Sequence, residues 1–199
     1  MITQERFLVQ SADYEKWLEV RATGVTATMV GKAHDDRGFK EVLSQMTDPT
    51  PIPDNAYMAF GRDQEPHIIS RLSERFEIEG NDWLIASERE PWMMATPDGL
   101  SGDHQTIVEV KTTGRDWGDY SRVPIYYQRQ VQWQLFVTGA AECVFAWMLR
   151  STGPSGTFVP AWLGPKYVTV KRNERMISDC IETAEKLYSL RPTVEPGSR

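Results

Sequence analysis

Ala95-Thr96-Pro97-Asp98-Gly99-Leu100, followed by Ile107-Val108-Glu109-Val110-Lys111, sets a Pro-Asp turn a short way ahead of an apolar strand that carries an acid and a lysine. Side chains alternate along a strand, so Glu109 and Lys111 project from one face while Val108 and Val110 pack into the core on the other. Asp98 sits in a Pro-Asp turn at hairpin distance from that strand. Two acids and a lysine can therefore converge on one point.

Such a set suits hydrolysis of a phosphodiester. Carboxylates hold Mg²⁺, a hard ion that needs only one or two of them plus waters and substrate oxygens. A lysine beside them orients the attacking water and offsets charge building on the phosphoryl oxygens. The acid-x-lysine pattern is short, but of all the lysines only Lys111 has an acid two residues before it. The alternative is a surface strand carrying a solvated charge pair.

The composition is that of an ordinary globular protein, 40% hydrophobic and 25% charged over 199 residues, a length that fits one compact domain and is short for two. We expect a single domain over residues 1–190 and a flexible tail over 191–199, which holds Pro, Gly and Ser. No apolar run is long enough for a membrane span or an export signal, so the expected location is cytoplasmic. Cys143 and Cys180 fit no metal or redox spacing and read as buried thiols, and His34, His67 and His104 show no zinc spacing. A net charge of −6 argues against a protein that coats nucleic acid. It does not exclude a nuclease, because only cations close to the phosphates count strongly. Candidates are Arg21, Lys32, Arg37, Lys40, Arg62, Arg115, Arg122 and Arg129.

Apolar periodicity predicts helices over 13–21, 25–32 and 37–46, then a proline-rich loop over 48–55. A longer helix over 57–76 should kink or break at Pro66. Short runs of strand type at 83–86, 92–96 and 106–112 are expected to form one antiparallel meander. A helix over 125–137, strands at 142–149 and 166–171 and a closing helix over 174–190 complete the chain.

Five blocks in this order resemble the lambda-type phage alkaline exonucleases, the YqaJ-like viral recombinase family of the PD-(D/E)XK nuclease superfamily. They are Glu19-Val20-Arg21-Ala22-Thr23-Gly24-Val25-Thr26-Ala27-Thr28, Phe60-Gly61-Arg62-Asp63-Gln64-Glu65, Ala95 to Leu100 as quoted, Glu109-Val110-Lys111, and Tyr127-Gln128-Arg129-Gln130-Val131-Gln132. The likeness runs from about residue 17 to 140. It implies an α/β (α+β) restriction-endonuclease-like core, a central mixed sheet flanked by helices.

Carried over, the resemblance implies two Mg²⁺ ions, with Mn²⁺ as a possible substitute. Asp98 would share them, Glu109 and the Val110 carbonyl would ligate one, Glu65 would reach the second, and Lys111 would position the water. Gln130 would lie beside the metals, with Tyr127 one turn away facing substrate. For Gln128, Gln132 and Gln134 the plain reading is the polar face of an amphipathic helix. Arg21 and Thr28 match positions that hold a terminal 5′-phosphate, and Met58 an apolar wedge that splits the last base pairs; Arg62 joins them as a substrate contact. The implied activity is 5′ to 3′ degradation of linear duplex DNA, leaving 3′ single strands for recombination by annealing. The implied partners are duplex ends, a ring homotrimer and a single-strand annealing protein, in a bacterial host cell carrying phage or prophage. Two alternatives stay open on the sequence. One is a site-specific or structure-specific endonuclease of the same superfamily, which needs a base-reading segment that the sequence does not display. The other is a catalytically silent scaffold that binds DNA ends, which the intact Asp98, Glu109 and Lys111 disfavour.

Overall fold

The computed structural model describes residues 1–50 and 53–191; the tail expected over 191–199 falls, beyond Arg191, outside them. In chain order the elements are β1 (Phe7–Gln10), α1 (Tyr14–Ala22), β2 (Val25–Thr26), α2 (Ala27–Lys32), α3 (Asp36–Thr47) and α4 (Ala56–Phe76). Next come β3 (Ile78–Gly80), β4 (Trp83–Ala86), β5 (Met93–Ala95), β6 (Gly99–Ser101) and β7 (Thr106–Thr113). The chain closes with α5 (Ile125–Thr138), β8 (Glu142–Thr152), β9 (Phe158–Pro160), β10 (Lys166–Lys171) and α6 (Glu174–Leu190).

The strands form two sheets. The larger runs β10-β8-β7-β6-β3, with β9 on the end of β8, and β7 is its hub: parallel to β8 and antiparallel to β6. The smaller runs β1-β4-β5-β2, with β2 parallel to β5. The expected single meander is therefore divided. β4 and β5 pair antiparallel, Ile85 opposite Ala95, but β7 belongs to the other sheet. The physical reason is the Pro97-Asp98 turn, which leads the chain off one sheet and straight into the short strand β6 of the other. The sequence stretch at 25–32 also divides: the β-branched pair Val25-Thr26 adds to β5 before the helix begins.

Burial follows the alternation on β7. Val108 and Val110 pack with Val144, Ala146 and Met148 of β8 against Ile68, Ile69 and Leu72 of α4. On the opposite face Ile107, Cys143, Phe145 and Trp147 pack under α5 together with Val131, Trp133 and Leu135. Burying each large aliphatic side chain there contributes about 1.5–3 kcal/mol before ordering costs. β8 reads as a continuous apolar run because both its faces are covered.

α4 begins at Asn55, whose side chain accepts from the N–H groups of Tyr57 (3.0 Å) and Met58 (3.1 Å). Of the kink or break expected at Pro66, the break does not occur: one helix runs through it. Pro66 removes one N–H bond to the preceding turn, yet Phe60 on one side and Ile68, Ile69 and Leu72 on the other bury a common face that holds both halves. α5 stops at Gly139, where the left-handed φ of 77° costs glycine nothing. Among the described residues no helix is long and apolar enough to cross a membrane. Both cysteines are buried and free, as expected.

Candidate active site

The hub strand and the turn before β6 build the site. Asp98 donates its N–H to the Val108 carbonyl (2.9 Å), and its Oδ2 accepts from the Val110 N–H at 2.6 Å. The carboxylate is thereby fixed against β7 one residue from Glu109. Asn81 locks the turn from behind: its Nδ2 donates to the Pro97 carbonyl at 2.8 Å and its N–H to the Asp98 carbonyl at 3.0 Å.

Glu109 is 1% exposed and fully hydrogen-bonded. Its Oε1 accepts from the Lys111 ammonium and from Gln130 Nε2 (2.7 Å), and its Oε2 accepts from Gln134 Nε2 at 2.6 Å. A solvated surface pair is thus ruled out. Buried carboxylates persist only when charged and amide donors satisfy them. Lys111 also lies over the Tyr127 ring, 5.0 Å from its centroid, so α5 presents Tyr127, Gln130 and Gln134 to β7 from one face.

Charge is concentrated here. Burial first, and then the facing Glu109 and Glu65 carboxylates, push the Asp98 carboxyl well above its ordinary range, against the pull of Lys111. Half-buried Glu65 on α4 is raised as well, by burial and then by Glu109. Burial works to lower the Lys111 ammonium, but Glu109 and Asp98 outweigh it and keep the group above the usual lysine value. The two carboxylates thus favour the charged form of Lys111.

Among the described residues, no three acidic, histidine or cysteine side chains close into a metal cage on their own. The donor set nevertheless fits a hard divalent cation. Two buried or half-buried carboxylates, one on β7 and one in the turn before β6, with a third facing them, carry more negative charge than one lysine offsets, and Mg²⁺ draws its other ligands from water and phosphate. Asp98 and Glu109 would hold it, with Glu65 approaching from α4.

A cavity of about 580 Å³ adjoins this cluster. Thr28 and Lys32 of α2, His34, Arg37 and Glu41 line it, and Lys111, Tyr127 and Gln130 join it to Glu109. α2 and α5 approach closely because residue 31 is glycine; a Cβ there would run into the Tyr126 carbonyl.

The structure thus gathers Glu65, Asp98, Glu109, Val110, Lys111, Tyr127 and Gln130, with Thr28 in the lining of the adjoining cavity. It does not bring Arg21, Met58 or Arg62 among the residues lining that cavity. The Arg21 guanidinium stacks on Trp17 at 4.6 Å and reaches Thr26 Oγ1 at 3.4 Å. Arg62 forms a two-pronged exposed pair with Asp54, and Met58 is partly exposed at the start of α4. Arg129, one of the cations considered for DNA, is buried: it donates to the Val30 carbonyl (3.4 Å) and Thr183 Oγ1 (2.8 Å), tying α5 to α2 and α6.

The plain reading of Gln132 and Gln134 is corrected too. Gln132 is buried and donates to the Lys171 carbonyl at 3.0 Å, and Gln134 is fully buried on Glu109. Gln134 is the site residue that sequence reasoning missed. The available signal was its spacing, seven residues after Tyr127 and four after Gln130, which puts all three on one helix face.

The topology and the carboxylate–lysine strand together are those of the PD-(D/E)XK nuclease fold. The chain belongs to the YqaJ-like viral recombinase family, whose sequence profile matches residues 16–141. It is similar to a crystal structure of LHK-Exo in complex with dAMP, with a TM-score of 0.66, 22% identity, and 88% of this chain and 91% of that one covered. LHK-Exo is an alkaline exonuclease from Laribacter hongkongensis. A phage-related exonuclease from Haemophilus somnus 129PT gives a TM-score of 0.62 at 12% identity, covering 84% of this chain and 92% of that one. These likenesses bear out the expected fold. A mimivirus protein, R354 of Acanthamoeba polyphaga mimivirus, is 26% identical over 154 residues, 66% of this chain, which spans 28% of that relative's length.

Proposed function

We propose that this chain is a Mg²⁺-dependent exonuclease that degrades the 5′-terminated strand of linear duplex DNA, leaving 3′ single strands for recombination by annealing. The observation that carries the reading is the buried Glu109 carboxylate, held by Lys111, Gln130 and Gln134 beside Asp98 and next to a cavity whose lining sets Lys32, Arg37 and Lys111 against Asp35 and Glu41. When bound, Mg²⁺ supplies charge neutralisation at the phosphoryl oxygens and a water of lowered pKa.

The chain's own groups do the rest. Asp98 and Glu109 present oxygens at fixed positions, because the Val110 N–H holds Asp98 Oδ2 and the Gln130 and Gln134 amides hold the two oxygens of Glu109. Lys111, its charged form favoured by the two carboxylates, offsets charge on the reacting phosphate and orients a water through its ammonium hydrogens. Lys32, Arg37 and Thr28 offer donors for a terminal phosphate across the cavity. Two ions, the Val110 carbonyl as a ligand, Mn²⁺ as a substitute, a role for Arg21 at the 5′ end, Met58 as a wedge and Arg62 as a backbone contact belong to the same reading. So do a single nuclease domain over 1–190, a ring homotrimer, an annealing partner and a bacterial host carrying phage or prophage.

One assay tests the core of it. End-labelled linear duplex and closed circular duplex are incubated with and without Mg²⁺. Release of mononucleotides from the 5′ end of the linear form, dependent on Mg²⁺ and absent on the circle, is the expected result. Nicking or linearisation of the circle overturns the exonuclease assignment in favour of an endonuclease.

A further inference from the structure

Gln134 is fully buried, yet among the described residues its side-chain Oε1 has no hydrogen-bond partner. A buried orphan acceptor is costly, and a helix core position of this kind would be filled more cheaply by leucine or methionine. The amide's other end explains its presence. Nε2 donates to Glu109 Oε2 at 2.6 Å and lies 3.5 Å from the Thr96 carbonyl, two residues before Asp98. One NH₂ group therefore touches both the strand that carries Glu109 and the turn that carries Asp98.

We infer that Gln134 is a positioning residue that acts through Glu109, setting the carboxylate's rotation and its separation from Asp98 so that the two can share a divalent cation. The inference rests on the metal-dependent nuclease reading above.

Three observations support it. α5 is registered against the smaller sheet at the same level, because Trp133 Nε1 donates to the Met94 carbonyl at 2.9 Å. The amide's height over the Asp98 turn is thus fixed by its neighbour in sequence. Gln130, one turn earlier, takes Oε1, so the pair on α5 grips both carboxylate oxygens and leaves Glu109 no free rotation. Finally, Thr138 Oγ1 donates to the Gln134 carbonyl at 2.7 Å, anchoring the turn of helix on which the amide sits. Groups that hold a metal-binding side chain in place typically change metal affinity about 10–100-fold when removed.

The test uses the full chain and Mn²⁺ as the probe, since its binding is read by electron paramagnetic resonance without turnover. Gln134→Met preserves volume and removes both the donor and the orphan acceptor. It should fold cooperatively, bind Mn²⁺ about 10-fold or more weakly than wild type, and require correspondingly more Mg²⁺ for half-maximal cleavage while affinity for duplex ends stays near wild type. In a Glu109→Gln background the same change should have no further effect on Mn²⁺ binding. Unchanged Mn²⁺ affinity in a folded Gln134→Met, or an equal loss in the Glu109→Gln background, overturns the inference. So does failure of both Gln134→Met and Gln134→Leu to fold, which makes the residue one of packing. If the wild type neither binds Mn²⁺ nor cleaves, the nuclease reading itself falls and this inference with it.

Discussion

Asp98 carries a charge that the metal-free protein works against. In the native state burial and then the Glu109 charge hold its carboxyl well above the usual range, whereas in the unfolded chain it titrates near about 3.9. Between those two values the native state binds more protons than the unfolded one, so stability falls as pH rises through that window, and the penalty is complete above it. Asp98→Asn keeps an oxygen for the Val110 N–H and removes the charge. It should raise the melting temperature in EDTA at pH 8, with the gain shrinking to nothing towards pH 4, and should abolish both cleavage and the stabilisation by Mg²⁺. Thermal melts across that pH range check it, and equal melting temperatures at pH 8 count against electrostatic strain at Asp98. Lys111 is the counterweight. Lys111→Met leaves the buried Glu109 carboxylate without its cation, a loss expected to cost about 3–5 kcal/mol in metal-free buffer and to lower the single-turnover rate by about 10²-fold or more. Denaturant melts and rapid-quench cleavage separate the two effects; a loss of end affinity with unchanged chemistry makes Lys111 an ordinary phosphate contact.

At the scale of elements, the site depends on how closely α5 is seated on its neighbours. Gly31 sets that distance on one side, since a Cβ would collide with the Tyr126 carbonyl. Gly31→Ala should destabilise the fold by about 1–3 kcal/mol, the usual cost of overpacking. On the proposed reading it should also weaken binding to duplex ends, because α2 and α5 both line the cavity. Urea melts and end-binding titrations check both, and a variant that loses stability while binding normally would detach the α2–α5 contact from function. The same element explains what the sequence could and could not reveal. Glu109-x-Lys111 and the Pro97-Asp98 turn were legible because strand alternation alone fixes which side chains share a face. The long helices were legible through their apolar periodicity. Gln132, Gln134 and Arg129 were not, because polar residues on a helix read as solvent-facing until the whole circumference of α5 is known to be enclosed by α2, α6 and two sheets. Five of the short strands, β1, β2, β3, β6 and β9, were missed because their few alternations do not outweigh the turn signals beside them. The division between the sheets likewise depends on long-range pairing that no local pattern encodes.

For the whole molecule, a net charge of −6 works against duplex DNA, so on the proposed reading engagement draws on local cations such as Lys32, Arg37 and Lys111, which share the cavity with Asp35 and Glu41. A terminal 5′-phosphate carries more charge than an internal phosphodiester and offers three acceptor oxygens, which suits Lys32, Arg37 and the Thr28 hydroxyl better than a continuous backbone does. We expect faster initiation on 5′-phosphorylated than on 5′-hydroxyl duplex. Lys32→Ala and Arg37→Ala should each shrink that preference by roughly the 1.5–3 kcal/mol of a hydrogen bond to a charged group, about tenfold or more in rate. Arg21→Ala tests the assignment carried by the family likeness against the packing seen here. If the guanidinium leaves Trp17 to hold the phosphate, the preference collapses. If it only stacks, stability drops and the preference persists. After the first nucleotide leaves, every new end carries a phosphate, so a 5′ to 3′ enzyme should show the discrimination in its first turnover alone. Single-turnover kinetics on the two ends, followed over several released nucleotides, read this directly, and equal first-step rates on both ends would remove terminal-phosphate recognition from the account of how this cavity works.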